Sequence, residues 1–379
     1  MKSADSENSE KRFLAARRVS YTLLAIVLVI YGLIHIRNFL YPVAFGFLLA
    51  YLLYPLASWL EKRGIARILA NLVILFGALL SMGGLALAAY RIITPLAVDL
   101  PELAENAIAN LSDIIIRLGG YFGFDGNNTK DLVNEQITYM FETGGEQIQN
   151  FFTATTNTII FFGLLPVYIF LFLFYRTKFM YFLLKIAGRS NRKTMVDILR
   201  EISEVMVRYL TGVFVVVFIL FFINSLGIYI IGLQYAIPLG ITAALFNFIP
   251  YFGTLLGGLV PFMFAFLVEG DISLAFRVVI LFIIIQFIEN NILTPNIVGG
   301  NVRVSPFFII IGLVAASMIW GIPGMLLIVP LLAAIRIIFS HIEFMKPYAF
   351  LLGEEGTKKH SIQLSKISRI LKQKLKRNK

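Results

Sequence analysis

The stretch from Ala236 to Val268, AIPLGITAALFNFIPYFGTLLGGLVPFMFAFLV, is apolar almost throughout, yet it holds Asn247, Pro250, Tyr251 and Gly253 near its middle. A helix cannot pass through that centre undisturbed, because proline lacks an amide proton and its ring clashes with the preceding turn. The limb before the break is also shorter than the roughly 20 residues a membrane-spanning helix needs. Unpaired backbone amides in hydrocarbon cost several kcal/mol each, so broken backbone is tolerated at membrane depth only inside protein or along a watery cavity. The stretch therefore predicts both a membrane protein and a cavity within it.

Working outward, the neighbouring segments repeat the theme. Leu274 to Leu293 reads as a helix that turns polar at its end through Gln286, Glu289, Asn290 and Asn291 before Pro295. Val304 to Ser340 is too long for one span and is broken at Trp320-Gly321-Ile322-Pro323-Gly324. Two interrupted elements flanking one polar-ended helix form a loose internal echo.

The rest of the chain fits the same solvent. Of its 379 residues, 58% are hydrophobic and 15% charged, with a mean hydropathy of +0.82, a composition that belongs in lipid. The expected class is an all-α polytopic membrane protein with about eight membrane segments, two of them broken or re-entrant hairpins. Residues 1–19 form a cytoplasmic tail and 20–94 the first three transmembrane helices. Residues 95–150 form an extracytoplasmic acidic helical insert, 151–175 the fourth span and 176–208 a cytoplasmic amphipathic linker. Residues 209–342 make the transport core and 343–379 a basic cytoplasmic tail.

Charge sets this orientation. The net charge of +11 is concentrated beside the spans, with ten Lys or Arg from Lys346 onward, whereas Pro95 to Asn150 carries nine acids against Arg117 and Lys130. By the positive-inside rule both termini face the cytoplasm and the insert faces the opposite side. Basicity placed this way reports topology and contact with anionic lipid, not nucleic acid. The tail beyond Lys358 adds an apolar stripe, Leu364, Ile367, Leu371 and Leu375, suited to a lipid surface or to self-association, the alternative being a disordered basic tail.

Candidate chemistry is sparse. Gln286, Glu289 and Asn290 stand at i, i+3 and i+4, one face of a helix, and an ionisable residue in an apolar run marks a substrate, a partner or a proton path. The alternative is an aqueous boundary position for Glu289, or a pair with Arg303 or Arg336. Asn247, Pro250 and Tyr251 would place freed backbone groups against a solute, or Asn247 would simply cap a half-helix. Gly253, Gly321 and Gly324 are hinge candidates, Trp320 is an interface anchor or a hairpin-tip plug, and Arg336 a snorkelling cation. Asn224 and Ser225 read as making an interhelical hydrogen bond in preference to binding a ligand. There is no cysteine, no Walker A sequence, no HExxH helix and no run like a potassium filter, so an enzyme, an ATPase and a simple channel are all disfavoured, and neither cofactor nor metal is expected.

Three motif blocks together resemble the autoinducer-2 exporter family, the PerM-like permeases. They are Pro238-Leu239-Gly240 with Asn247 to Gly253, then Gln286 to Pro295 with Gly299, and finally Ser305-Pro306, Trp320-Gly321-Ile322, Gly324 and Val329-Pro330-Leu331. The resemblance extends over Ser20 to Ser340, with the N-terminal half matching in layout alone. It implies a homo-oligomeric carrier of the bacterial cytoplasmic membrane, with substrates ranging from a furanosyl signalling molecule to sodium or protons. The leading expectation is export of a small polar solute; the alternatives are Na⁺(Li⁺)/H⁺ antiport and a non-transporting envelope scaffold.

Overall fold

The computed structural model describes residues 17, 20–25, 27–122, 155–250, 253–298 and 302–354. Tyr251, Gly299, the second half of the acidic insert and the basic stripe of the tail lie outside these residues. Among the described residues the regular structure is helical, apart from an isolated bridge between Val304 and Gly353. The chain is an all-α polytopic membrane protein.

Helices α1 (Ser20–His35) and α2 (Arg37–Lys62) are followed by α3 (Arg67–Phe122), α4 (Thr155–Ala187) and α5 (Arg192–Ile231). The packing of α2, α3 and α4 is sealed by Ala50, Ala57, Leu75, Leu165, Ile169 and Leu173. Gly46 permits it, since a Cβ there would stand 2.6 Å from the Cβ of Tyr168. At one end of this trio Arg176 is ion-paired with Glu61, and Arg67 Nη1 donates to Thr177 Oγ1 at 3.0 Å.

Two helices run on where the sequence suggests separate elements. The apolar part of α3, Arg67–Leu96, continues without a stop through Pro95 and Pro101 into the acidic segment. Likewise the amphipathic stretch before Tyr209 and the apolar run after it form the single 40-residue α5, roughly 60 Å long and about twice the hydrocarbon thickness. The amphipathic stretch is thus continuous with the apolar helix that follows it.

The C-terminal half is built on α5. Helix α6 (Ala236–Phe246) and α7 (Gly253–Met263, extended by a π-turn at Phe264–Val268) form an antiparallel hairpin. Each limb has 11 regular residues, or roughly 16 Å, half of what a crossing needs. Gly257 lets the limbs touch, with a built Cβ only 2.7 Å from the Ala243 carbonyl. Next comes α8 (Ile272–Ile288), N-capped by Asp271 and prolonged by a π-turn at Glu289–Leu293 and a last turn at Thr294–Ile297. Helices α9 (Pro306–Trp320) and α10 (Ile322–His341) make a second hairpin, and α11 (Lys346–Leu352) closes against its base. The echo between the hairpins is incomplete, because α10 with 20 residues is long enough to cross.

The hairpins open toward opposite ends of α5. The α6–α7 pair opens beside Ile231, where Arg277 donates to the Ile231 carbonyl and Gln234 N–H to Glu269. The α9–α10 pair opens beside the start of α5, where His341 Nε2 lies 3.6 Å from Glu201. Arg336, expected to snorkel, is instead buried near Gly353 at the base of that second hairpin.

Candidate functional site

The break in the first hairpin is a compact turn. Asn247, Phe248 and Ile249 amides donate to the carbonyls three residues back, and Gly253 N–H donates to the Ile249 carbonyl at 2.8 Å, so these backbone groups are paired despite the proline. Gly253 is obligatory by contact: a Cβ there would stand 2.4 Å from the Phe246 carbonyl oxygen and 2.5 Å from Asn247 Cα. Asn247 is half-buried and its Nδ2 donates to the Ala243 carbonyl at 3.3 Å, while Pro250 is also half-buried. The tip packs on α5 through an edge-to-face contact of Phe248 with Phe214, and Ile249 belongs to one apolar cluster with Tyr209, Ile309, Val329 and Ala333. One cluster therefore runs from the tip of the first hairpin into the second.

The depth of Glu289 follows from register. Helices α8 and α5 are antiparallel, with Leu281 against Gly227 and Val298 against Gly212; built Cβ atoms on these glycines would approach within 2.7 and 2.9 Å. Glu289 falls midway between Leu281 and Val298, hence level with Leu220, midway between the two glycines. Leu220 is also the centre of the apolar run Tyr209 to Ile231. Residue 289 is therefore level with the middle of the apolar run of α5. Ile285, one turn before it, is buried against Val216, Val217, Leu220 and Ala244.

Glu289 also opens the π-turn, a local widening that is found most often at functional positions. The extra residue splits the expected face: Gln286 and Glu289 are half-buried, whereas Asn290 and Pro295 are exposed. Neither Glu289 nor Asn247 is without a partner. Asn291 and Asn296 use their amides locally, donating to the Phe287 and Ile292 carbonyls at 2.8 and 2.7 Å.

The second break stands apart from this cluster. Gly321, at φ 66°, makes the reversal, and Gly324 lies so close that a Cβ would be 2.3 Å from the Ala316 carbonyl. Trp320 Nε1–H donates to the Leu33 carbonyl of α1 at 2.9 Å, which ties the hairpin tip to the first helix. The turn at Asn247 and the end of α8 thus both pack on α5, through Phe248 and Ile285, while Trp320, Gly321 and Gly324 form a second turn apart from them.

Outside the membrane segments, α3 holds the open end of the first hairpin. Asn110 Nδ2 donates to the Leu267 and Val268 carbonyls at 2.9 and 3.1 Å, and the Tyr235 hydroxyl donates to Asp99. That hydrogen bond, with burial and the charges of Asp99 and Glu102, pushes the Tyr235 pKa above the ordinary tyrosine value. Sequence reasoning missed this clamp, since nothing local marks Asn110 as a partner for residues so distant in the chain. Among the described residues there is no cluster of metal-ligating side chains.

Comparison with known proteins places these features in context. A family model described as AI-2E family transporter matches residues 23–344. The "Putative transport protein YrrI" of Bacillus subtilis is 29% identical over 317 residues, covering 81% of this chain and 87% of the relative. A second protein of that organism, YueF, is 25% identical over 324 residues, 82% of this chain and 86% of its own. A protein of Halobacillus andaensis named sodium-lithium/proton antiporter is 24% identical over 343 residues, covering 83% and 93%.

Proposed function

This chain belongs to the AI-2E transporter family, and from that membership we propose that it is a secondary carrier exchanging sodium or lithium for protons, with Glu289 holding each in turn. The observation that carries the reading is the depth of Glu289, level with the centre of the apolar run of α5 and at the start of a π-turn. A carboxylate at that depth is costly to keep charged and is readily neutralised by a proton or a small cation, which is what an exchanger requires of it. The similarity to the Halobacillus andaensis antiporter supports the same choice.

The remaining residues take roles around that carboxylate. Asn247, Pro250, Gln286, Asn290 and Pro295 line the route past the hairpin tip; Gly253, Trp320, Gly321 and Gly324 let the two hairpins move. Because the hairpins open toward opposite ends of α5, moving either would expose Glu289 to one side only, as alternating access demands. The setting is the cytoplasmic membrane of a bacterium, with a homo-oligomeric assembly and no catalytic step. Export of a small polar solute is the second reading, favoured by the neutral amides of Gln286 and Asn247, which suit an organic solute as well as an ion.

The test is proton movement in inverted membrane vesicles followed with a pH-sensitive dye after addition of Na⁺ or Li⁺. The wild-type protein should dissipate the gradient, and Glu289→Gln should reduce the rate at least tenfold. Equal rates would remove Glu289 from the mechanism, and no cation response in wild type, with efflux of a polar solute instead, would favour the second reading.

A further inference from the structure

Asn224 is fully buried on α5, and among the described residues neither atom of its carboxamide has a hydrogen-bond partner; the Ser225 hydroxyl is in the same condition. Buried side-chain amides are nearly always paired, and a membrane interior offers no bulk water to correct the omission. The sequence nonetheless keeps a polar residue on the stripe Leu220, Asn224, Ile228, where leucine would pack well.

Its surroundings are fixed by those neighbours. Leu220 packs with Ala244 and Ile285, and Ile228 with Leu239, Ala243, Val278 and Phe282, so Asn224 lies between these two layers, in the seam where α5 meets α6 and α8. Gly240 presses the seam shut: a Cβ on it would stand 2.2 Å from Ser225 Oγ. About one helical turn along α5 lies the level of Glu289, and a little more than one turn further that of Asn247, whose neighbour Phe248 meets Phe214. Three polar residues thus stand at successive levels along α5.

We infer that Asn224, with Ser225, is a further binding station for the transported cation, between Glu289 and the end of the seam that α3 clamps. The inference rests on the exchange reading. The carboxamide and hydroxyl oxygens are neutral, hard donors of the kind sodium and lithium accept. A neutral station above a carboxylate lets the ion shed part of its water before it reaches the charge. With α6 against α5 the station is closed, and displacement of the α6–α7 hairpin away from α5 opens it.

The chain contains no cysteine, so single cysteines report cleanly on water access. Asn224→Cys and Asn247→Cys, each made in the full chain, are exposed in vesicles to a water-soluble thiol reagent. Both should be modified. Asn224→Leu should melt at or above the wild-type temperature while its KM for Na⁺ rises at least tenfold. Modification of Asn247→Cys without Asn224→Cys overturns the station and leaves the exchange reading in place. Modification of neither overturns both. A lower melting temperature with unchanged KM assigns Asn224 to structure and overturns the station.

Discussion

At the scale of single residues, Gly253→Ala forces a methyl group against the Phe246 carbonyl, where backbone cannot yield, and should destabilise the protein by about 1–3 kcal/mol, read as a lower melting temperature. Gly32→Ala, with nothing within 4 Å, should be neutral or slightly stabilising by about 0.5–1 kcal/mol. Equal melting temperatures for the two variants would contradict the contact geometry. Glu289 stands out in the sequence because ionisable residues are rare in apolar runs, yet its level along α5 comes only from the contacts of Leu281 with Gly227 and Val298 with Gly212. Asn224 is harder to read from sequence; its isolation depends on what α6 and α8 place around it, which no local pattern encodes.

At the scale of elements, the two breaks were visible because proline and glycine interrupt apolar runs at Asn247–Gly253 and Trp320–Gly324. The continuity of α3 and α5 was not visible. Helical periodicity persists through Pro95 and through Arg208, and it does not mark where a helix leaves lipid. The π-turn at Glu289–Leu293 was equally hidden, since one extra residue in a helix leaves no compositional trace. That turn carries its own prediction. Deleting Asn291 should restore regular α geometry and rotate Glu289 out of the seam, abolishing exchange while circular dichroism shows unchanged helix content. Retained exchange would mean that the π-turn does not position the carboxylate. The clamp offers a second prediction at this scale: Asn110→Leu removes the hydrogen bonds to Leu267 and Val268 and should speed thiol modification of Asn224→Cys by freeing the open end of the α6–α7 hairpin. An unchanged rate would show that α3 does not restrain it.

At the scale of the whole molecule, the membrane class was legible from hydropathy alone, while the way the hairpins meet was not. Residues as far apart as Ile249 and Ala333 share one cluster, an association that only the folded chain reveals. Among the described residues almost nothing covers the face of α3 that bears Gly77, Gly83 and Gly84, as expected of an oligomer surface; Gly84→Leu should lower the subunit count measured by light scattering in detergent, and an unchanged count would place the interface elsewhere. The central claim is that cations and protons share Glu289 at mid-height. Purified protein in liposomes with an imposed pH gradient tests it most directly, through uptake of radiolabelled sodium. The account predicts gradient-driven uptake by wild type and loss of at least nine-tenths of it in Glu289→Gln; uptake by Glu289→Gln at the wild-type rate would contradict it.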